Sequence, residues 1–434
     1  MKRIVLATFG SLGDLHPYVA LSLQLKARGH RPLIATSDVH RDAVERAGIE
    51  FAAMRPNAEH IGDAAELVRR LFHPRKGPEH LIRELVMPHV RGAYEDLDRA
   101  CAGADLIVTH PLAFAGRLVA EKRRLPWRSS VLSPLSLMSS IDPPLFGPAP
   151  WLLSMRRLGV APYRAVFGLA KWSIGAWEKP LHELRADLGL PPMRAYAQFE
   201  GQYAPDGNLA LFSHVLAKAQ ADWPQNTTIC GFSRYDGERV EPVLERELNE
   251  WLSAGPPPVV YTLGSSVSLY ASDFFKTAVE ATNLLGSRAL LVTGRDPAEF
   301  DGMLGRAHLP AGTIKTFRYL PYSAVFPHAS VNVHQAGVGT LAQALAAGKP
   351  QLIVPVGFEQ PDNALRAVRL GLARSIPFQK LTLNAMTTAL RHLISSPRYR
   401  TNAGAVAEML KAEEQEHRAV DLLRAAMRNP RPSA

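Results

Sequence analysis

Cysteine is nearly absent from this 434-residue chain, which contains only Cys101 and Cys230. The two lie far apart and in no CxxC pattern, so the sequence predicts neither a disulfide framework nor a thiolate zinc site. Uninterrupted apolar runs of about 18 residues, the length that a membrane-spanning helix needs, are absent as well. The apolar run at residues 4–9 ends at Gly10 and is too short for a secretory signal, so it predicts a buried strand. A reducing cytoplasm fits these absences.

The chain also lacks a block of like charges, although its formal net charge is +10. Its Lys and Arg residues are scattered, with small clusters at residues 69–76 and at Arg156-Arg157. Such scatter is typical of a solvated basic surface, so we expect no nucleic-acid partner. The same surface leaves loose contact with the inner face of an anionic membrane as an open alternative to a purely cytoplasmic location.

The N-terminal half alternates short aliphatic runs with helical patterns. Strands are predicted at residues 3–8, 31–36, 106–109 and 127–132, and a helix at residues 17–28. This alternation is typical of βαβ units in a parallel sheet. From residue 134 to about 203, prolines, tryptophans and other apolar residues follow less regular spacing, which favours loops and helices that cover an apolar acceptor or form core.

A second βαβ cycle occupies the C-terminal half. Its predicted strands lie at residues 258–263, 289–293, 330–333 and 351–354, its predicted helices at 271–285, 340–347 and from 384 onward. The sequence therefore predicts an α/β protein with two tandem Rossmann-like domains. We place them at residues 1–221 and 248–434, with a linker at 222–247 that is rich in turn residues.

One glycine-containing turn stands between a predicted strand and a predicted helix. Gly337 and Gly339 allow close backbone approach, and the helix that follows offers unpaired N–H groups and partial positive charge to an anion. His334 and Thr340 add side-chain donors. A tight strand-to-helix turn would carry the same glycines, although turn geometry alone does not explain the histidine.

The next strand is followed by Phe358-Glu359-Gln360-Pro361-Asp362-Asn363. A loop at the carboxyl end of a strand is where open α/β sheets bind ligands. Glu359 and Gln360 offer a carboxylate and an amide, which suit vicinal sugar hydroxyls. A polar helix cap is the alternative interpretation of this pair.

With these residues the chain resembles the UDP-glycosyltransferase superfamily of two-domain, GT-B-fold enzymes, in particular its bacterial branch of sterol, antibiotic and rhamnolipid-type transferases. The family pattern H-x-G-G-x-G-T falls on His334, Gly337, Gly339 and Thr340, and Ala336 replaces its first glycine. The resemblance implies two domains that face across a cleft and a C-terminal helix that packs back on the N-terminal domain. It implies a diphosphate-binding set of Gly264, Ser265, Ser266, His334, Gly337, Val338, Gly339 and Thr340.

The resemblance also implies how the rest of the donor is bound. The family's acidic residue and Gln, which hold the donor sugar, fall on Glu359 and Gln360, and its nearby Asn falls on Asn363. Asp is the commoner acid at this position, so Glu359 bears on the identity of the sugar. The nucleobase would stack on Tyr319, next to Leu320, where the family usually has Trp.

A second motif, residues 10–17, matches the loop after the family's first strand. The branch motif G-S-x-G-D places an acid at Asp14, which the resemblance implies is the general base, with His16 as the alternative. Capping of the helix near residue 17 is the competing role of Asp14. Ser11 and His110 are expected to bind the acceptor. His110 stands where relatives with a histidine base have an orienting Asp.

No metal or other cofactor is expected, because the nucleotide sugar is a co-substrate. Asp96 and Asp98 match the letters of an Asp-x-Asp metal motif, but they lie in a charged, helical stretch where residues two apart do not face each other. We therefore predict a solvated helix face there.

The sequence thus predicts an inverting, metal-independent glycosyltransferase for a bulky apolar acceptor such as a phenolic natural product, sterol or lipid. UDP-glucose is favoured as donor over dTDP-rhamnose. Three alternatives stay open: a dinucleotide oxidoreductase, for which the loop after the first strand lacks G-x-G-x-x-G, a non-catalytic nucleotide-sugar or lipid-binding protein, and a nucleotide-sugar epimerase of the same fold.

Overall fold

The computed structural model describes residues 1–73, 75–147, 149–237, 240–264, 272–304 and 312–428. These residues form two compact units. The first unit comprises Met1–Tyr235 together with the C-terminal segment from Glu413 onward, and the second comprises Asp236–Ala412.

The first unit contains a seven-stranded parallel sheet in the order β3-β2-β1-β4-β5-β6-β7. Its strands are Arg3–Ala7 (β1), Arg31–Thr36 (β2), Glu50–Ala53 (β3), Leu106–Thr109 (β4), Trp127–Val131 (β5), Asn208–Ala210 (β6) and Thr227–Ile229 (β7). Its helices are Leu12–Ala27 (α1), Arg41–Arg46 (α2), Ala58–Ile61 (α3), Ala64–Leu71 (α4), Gly77–Glu79 (α5), Val90–Ala100 (α6), Ala115–Arg123 (α7), Val160–Gly175 (α8) and Lys179–Asp187 (α9).

The second unit contains a six-stranded parallel sheet in the order β10-β9-β8-β11-β12-β13. Its strands are Val259–Thr262 (β8), Ala289–Val292 (β9), Ile314–Phe317 (β10), Val331–His334 (β11), Gln351–Ile353 (β12) and Ala373–Ser375 (β13). The remaining helices are Pro242–Ser253 (α10), Ser272–Leu284 (α11), Pro297–Leu304 (α12), Tyr322–Val325 (α13), Val338–Ala346 (α14), Gln360–Arg369 (α15), Leu383–Ser395 (α16), Pro397–Glu414 (α17) and Arg418–Arg428 (α18).

Short 3-10 or π turns complete the described chain. They span Asp38–His40, His80–Val86, Met87–His89, Pro134–Leu137, Pro150–Leu158, Ala176–Glu178, Glu200–Gln202, Phe326–His328 and Phe378–Lys380.

The central strands are buried on both faces, which is why their sequences are continuous apolar runs instead of alternating ones. Every residue of β4, β8, β9 and β11 is buried. The two predicted Rossmann-like domains are confirmed as two parallel α/β sheets. Strands β3, β6, β7, β10 and β13 were not predicted.

Helix α1 begins at Leu12, five positions before the predicted start at Pro17, which lies inside the helix. The cause is a capping box: the Ser11 hydroxyl accepts from the Gly13 amide, and the Asp14 carboxylate accepts from the Ser11 amide. Asp14 therefore belongs to the first helical turn and not to a loop ahead of it.

The C-terminal helix α18 belongs to the first unit, where it contacts α1. Just before it, the Glu414 carboxylate pairs with Arg234, and Glu413 Oε1 accepts from the His214 amide at 3.2 Å. The expectation that the C-terminus packs back on the N-terminal domain is confirmed. The unit boundary after Tyr235 falls within the predicted linker, residues 222–247, and that segment is not irregular throughout because it contains β7.

Within the described residues, no helix has the length and apolar character that crossing a bilayer requires.

Candidate active site

Each sheet has one point at which the strand order reverses, and several of the predicted site residues follow the strands on either side of these two points. In the first sheet the reversal lies between β1 and β4, and in the second between β8 and β11. All strands are parallel, so their carboxyl ends share one edge, and open α/β sheets bind ligands at that edge beside the reversal. Asp14 and His110 follow β1 and β4. Gly264 and the segment His334–Thr340 follow β8 and β11.

The segment after β11 presents three amides that have no hydrogen-bond partner among the described residues. Gly337 is the N-cap of α14, and the first backbone bond inside the helix runs from the Leu341 amide to the Gly337 carbonyl. The amides of Val338, Gly339 and Thr340 therefore have no partner within the helix. Three N–H groups at the positive end of a helix dipole suit an anion, so the geometry is compatible with the predicted diphosphate contact, which stays a prediction.

Ala336, which replaces the family's first glycine, adopts the left-handed conformation with φ +67°. This conformation costs about 1–2 kcal/mol for a residue with a Cβ. Two buried side chains stabilise it: the Ala336 amide donates to His334 Nδ1 at 3.1 Å, and Asn363 Nδ2 donates to the Ala336 carbonyl at 3.0 Å.

These contacts correct the predicted role of His334. Its side chain is fully buried, Nδ1 accepts from the Ala336 amide, and Nε2 pairs with Gln351 Oε1 at 3.1 Å. Burial lowers the pKa of His334 to about 4, and the Gln351 contact offsets only part of that effect. Both ring nitrogens are occupied, so His334 shapes the turn and does not donate to a phosphate.

Sequence analysis missed Gln335, the variable position of the motif. Its side chain is buried, and Nε2 donates to Thr340 Oγ1 at 3.4 Å. Its Oε1 has no hydrogen-bond partner among the described residues. The amide lies against Gly264, since a Cβ added there would be 2.2 Å from Gln335 Nε2. Gln335 thus reaches from β11 to the end of β8 beside the free amides. The sequence did offer a signal for this role, namely a polar side chain between the histidine and the small residues that follow it.

The Thr340 hydroxyl, predicted to donate to phosphate, lies in a buried chain of hydroxyls. Tyr322 bonds to Thr340 and, at 3.0 Å, to Thr262 Oγ1. Gln335 also donates to Thr340. The Thr340 hydroxyl is therefore a support of Gln335, while its backbone amide remains at the helix end. Ser265 and Ser266 lie outside the described residues.

The predicted sugar-binding residues occupy different environments. Gln360 is buried, and its Oε1 accepts from the Val356 amide at 2.9 Å and the Gly357 amide at 3.3 Å, which fixes the loop after β12. Phe358 in that loop has φ +53°, a strained conformation that often occurs at ligand sites. Glu359 is half-buried at the N-cap of α15.

Asn363 is fully buried, and its Nδ2 donates a hydrogen bond to the Ala336 carbonyl. Its Nδ2 thus supports the turn after β11, whereas its Oδ1 has no hydrogen-bond partner among the described residues, and the contact with the donor sugar stays a prediction.

The predicted nucleobase contact, Tyr319, has an exposed side chain, which a stacking surface requires. Tyr319 is 49% exposed, and its hydroxyl donates to the Asp236 carbonyl. Asp236 Oδ2 in turn accepts from the Ser323 amide at 2.6 Å. Leu320 is 1% exposed and packs in the hydrophobic core, so its side chain is not a base contact.

In the first unit, Asp14 is held by its neighbours. Oδ2 accepts from the Ser11 amide at 2.8 Å and the Ser11 hydroxyl at 3.0 Å. Gly10 leaves the space for this carboxylate, because a Cβ there would be 2.3 Å from Oδ2. His40 Nε2 contacts the Gly10 carbonyl at 2.9 Å. Helix capping and an accessible carboxylate coexist here, since the Asp14 side chain remains 32% exposed. The Ser11 hydroxyl, predicted to bind acceptor, serves the cap.

His110 approaches Asp14 from the end of β4. Its Nδ1 accepts from the Leu112 amide at 3.2 Å, and its Nε2 lies 3.7 Å from Asp14 Oδ1. Burial lowers the pKa of His110, and the charge of Asp14 opposes this effect. His16, the alternative base, lies edge-on to Tyr235 at 5.3 Å between ring centroids.

The Asp-x-Asp letters lie on helix α6, as predicted, but only part of that prediction holds. Asp96 is buried and accepts from Arg55 Nε at 2.8 Å, and Asp98 accepts from Arg123 at 2.8 Å. Burial raises the pKa of Asp96, but hydrogen bonds from Arg55 outweigh it and leave the pKa lowered. The pair is thus not a solvated face. Within the described ranges, no group of three or more His, Cys, Asp or Glu side chains could hold a metal ion.

Two doubly wound sheets with polar residues at both reversal points define a two-domain α/β protein of the GT-B type. Residues 4–135 match the glycosyltransferase family 28 N-terminal domain, and residues 301–424 match the erythromycin biosynthesis protein CIII-like C-terminal domain. O-mycaminosyltylonolide 6-deoxyallosyltransferase of Streptomyces fradiae is 30% identical over 428 residues, which cover 95% of this chain and 94% of the relative.

A sterol 3-beta-glucosyltransferase of Arabidopsis thaliana is 26% identical, over 95% of this chain and 63% of that protein. Among solved structures, glycosyltransferase VinC in complex with dTDP has the same fold, with a TM-score of 0.67, 20% identity, and coverage of 98% of this chain and 100% of that one. The chain therefore belongs to the GT-B glycosyltransferases of the UDP-glycosyltransferase superfamily, and it is a glycosyltransferase.

Proposed function

We propose that the protein transfers a hexose from a nucleoside diphosphate sugar to a hydroxyl group of a bulky apolar acceptor, with inversion and without a metal ion. The observation that carries this proposal is the group of unpaired amides of Val338, Gly339 and Thr340 at the reversal point of the second sheet. Negative charge develops on the leaving diphosphate during transfer, and preorganised N–H donors stabilise such charge without reorganisation.

The first unit supplies the base. Asp14 Oδ1 takes the proton of the acceptor hydroxyl while that oxygen bonds to the anomeric carbon, and the nucleoside diphosphate leaves with the electron pair. A single displacement from the face opposite the leaving group inverts the anomeric centre. A positioned base contributes about 10²–10⁴-fold, and the amides and alignment of the reactants supply the remainder.

Two donor classes fit the site. The names of the Streptomyces relative and of the dTDP complex favour a thymidine diphosphate deoxyhexose such as dTDP-rhamnose, whereas the name of the sterol relative favours a glucosyl donor such as UDP-glucose. With either donor, we expect the pyrimidine to stack on Tyr319 and the diphosphate to bind at the N-terminus of α14. The same names support a macrolide-like or sterol-like acceptor.

The decisive experiment combines a donor screen with product analysis. Purified protein is mixed with UDP and dTDP hexoses, binding is measured by thermal shift, and acceptor panels are analysed by mass spectrometry. We expect a glycosylated product whose formation persists in EDTA and is lost in Asp14→Asn, while donor affinity is retained. Donor binding without product from any acceptor would favour a binding protein, and conversion of the donor without acceptor would favour an epimerase.

We further propose loose contact of helix α8 and the preceding turn with an anionic membrane. Trp151, Leu158, Leu169 and Trp172 are exposed there by 63–73%. No Asp or Glu occurs between Pro143 and Trp177, whereas Arg156, Arg157, Arg164 and Lys171 do. Exposed tryptophans with basic neighbours suit an anionic interface. Co-sedimentation with phosphatidylglycerol vesicles but not phosphatidylcholine vesicles, weakened by salt and by Trp172→Ser, is expected. Equal recovery from both vesicle types would contradict it.

A further inference from the structure

The Asp14 and His110 side chains approach each other without forming a direct hydrogen bond. His110 Nε2 and Asp14 Oδ1 are 3.7 Å apart, beyond the range of about 2.7–3.2 Å for an N–H···O hydrogen bond. Both residues belong to the first unit and stand beside the reversal point of its sheet: His110 directly follows β4, and Asp14 lies in the first turn of α1, the helix that follows β1. The separation is too wide for a bond between them and suits a third polar atom that bonds to both.

The hydrogen-bond partners fix what each atom offers. His110 Nδ1 accepts from the Leu112 amide, so in the neutral ring the proton is on Nε2, which faces Asp14. Oδ2 of Asp14 already accepts two hydrogen bonds from Ser11. The pair therefore presents one donor, Nε2–H, and one acceptor oxygen, Oδ1.

We propose that Asp14 and His110 bind a single acceptor hydroxyl between them. This proposal rests on the proposed function. It adds that His110 is the second residue, besides Asp14, that binds the reacting oxygen. The hydroxyl oxygen accepts from His110 Nε2–H, and its own proton is donated to Asp14 Oδ1. An oxygen about 2.8 Å from each atom forms a triangle whose third side is the observed separation of 3.7 Å.

During transfer the same geometry directs the proton. The acceptor oxygen forms its bond to the anomeric carbon, the O–H bond breaks toward Oδ1, and the nucleoside diphosphate leaves with the electrons of the broken C–O bond. His110 keeps its proton throughout and holds the oxygen in line. A cationic His110 would make Asp14 a weaker base, and burial of the ring opposes that charge.

The arrangement also predicts which hydroxyls are accepted. The site combines a carboxylate with a neutral imidazole. Neither Tyr18, whose ring lies edge-on to His110, nor His40, which contacts the Gly10 carbonyl, is a permanent cation. An ionised phenolate lacks the proton for Oδ1 and is repelled by the carboxylate. The acceptor is therefore an un-ionised hydroxyl, which is typical of aliphatic alcohols such as those of macrolides and sterols.

The first test measures the protonation of His110 without any substrate. Long-range ¹H–¹⁵N correlation of the histidine rings, assigned with His110→Gln, is expected to give a neutral Nε2–H form of His110 at neutral pH, because burial lowers its pKa. A neutral Nδ1–H form, or a charged ring at pH 7, would overturn the proposal.

The second test uses variants of His110 with an alcohol acceptor from the product screen. His110→Phe removes the donor and is expected to raise the acceptor KM and lower kcat, for a combined loss in kcat/KM of about 100-fold. His110→Gln keeps an N–H donor and should recover at least about tenfold of that loss. Donor affinity and thermal unfolding serve as controls for folding. Equal kcat/KM in wild type and His110→Phe would overturn the role of His110.

A third test varies the acceptor and uses the wild-type protein. At fixed pH, substituted phenols of decreasing pKa are expected to lose activity once they ionise. Faster turnover of the ionised phenols would contradict binding by this pair. Failure of the proposed base has a different signature, since full activity of Asp14→Asn would remove Asp14 from the mechanism whatever His110 does.

Discussion

The Gln335 side-chain amide lies directly against Gly264, which stands two residues after the first strand of the second sheet. A Cβ added to Gly264 would be 2.2 Å from Gln335 Nε2 and 3.0 Å from its Cδ. The two residues therefore join the ends of the neighbouring strands β8 and β11 beside the free amides of α14. Because Gln335 Oε1 has no partner among the described residues and Nε2 has one long contact, this side chain can turn toward a bound diphosphate.

Gly264→Ala should weaken nucleoside diphosphate binding by displacing Gln335. We expect at least about a tenfold increase in Kd, which corresponds to the loss of one hydrogen bond to a charged group. Gly286→Ala is the matched control, because Gly286 also has a positive φ, +59°, but no atom within 4 Å of an added Cβ. Calorimetric titration with UDP and dTDP measures the Kd of both variants. Equal affinities in the two variants would remove Gln335 from the diphosphate site.

Ala336→Gly should raise the free energy of unfolding, because glycine adopts the left-handed conformation at φ +67° without strain. The relief of about 1–2 kcal/mol is offset by about 0.4–1 kcal/mol of extra freedom in the unfolded chain, so a net gain of up to about 1.6 kcal/mol is expected. Ala344→Gly, in the interior of α14, should be destabilising instead. Urea unfolding of both variants measures whether the free energy of unfolding rises in one and falls in the other. Equal losses of unfolding free energy in the two variants would contradict the strain at Ala336.

Gly10→Ala should impair catalysis by moving Asp14. The added Cβ would be 2.3 Å from Oδ2 and 2.6 Å from Cγ of Asp14, so the carboxylate must leave its position. We expect kcat to fall about 100-fold, as for a misplaced catalytic group, with donor affinity unchanged. Gly29→Ala, at φ +78° with no atom within 4 Å, controls for backbone strain in the same unit. Wild-type kcat in Gly10→Ala would argue against Asp14 as base.

Much of the fold could be predicted because the central strands are buried on both faces and so carry continuous apolar runs. The strands Arg31–Thr36 and Leu106–Thr109 have the predicted bounds. The strands Asn208–Ala210 and Thr227–Ile229 have only three residues each, which is too short for a periodic signal, and pairing with neighbours defines them.

The candidate site was predicted at the level of the backbone and less well at the level of side chains. Glycine spacing locates a turn before a helix, but the direction of the His334 ring depends on Gln351, 17 residues away in sequence, and the role of Asn363 depends on Ala336, 27 residues away. Such contacts are set by the pairing of β11 with β12 and by the packing of α15. Gln335 could have been found only as the polar side chain at the motif's variable position.

Tyr319→Ala should weaken donor binding if the exposed ring stacks on a pyrimidine. Loss of a stacked base contact costs about 1–3 kcal/mol, or about five- to 150-fold in Kd. Tyr319→Phe keeps the ring and removes only the hydroxyl that donates to the Asp236 carbonyl, so its Kd should stay within about threefold of wild type. Titration with UDP and with pyrophosphate separates the loss of base stacking from a loss of diphosphate binding, because pyrophosphate lacks a base. Equal weakening of both ligands in Tyr319→Ala would contradict stacking.

The pH dependence of stability should report the buried ring of His334. Burial lowers the pKa of His334 to about 4, whereas an unfolded histidine has a pKa of about 6.5. Between these values the unfolded chain binds a proton that the folded chain does not, so folding becomes less stable as pH falls from about 6.5 toward 4. For this side chain alone, lowering the pH from about 7.5 to 5 should cost about 2 kcal/mol of unfolding free energy.

His334→Gln removes the imidazole ring that takes up a proton in the unfolded chain. It should therefore reduce the difference in unfolding free energy between about pH 7.5 and pH 5 by about 2 kcal/mol relative to wild type. The difference should not vanish, because burial also lowers the pKa of His110, which remains in the variant. Urea unfolding at both pH values measures the two differences, and comparing them cancels the loss of stability that the substitution causes at every pH. An undiminished difference in His334→Gln would mean that His334 is not the neutral, buried support of Ala336.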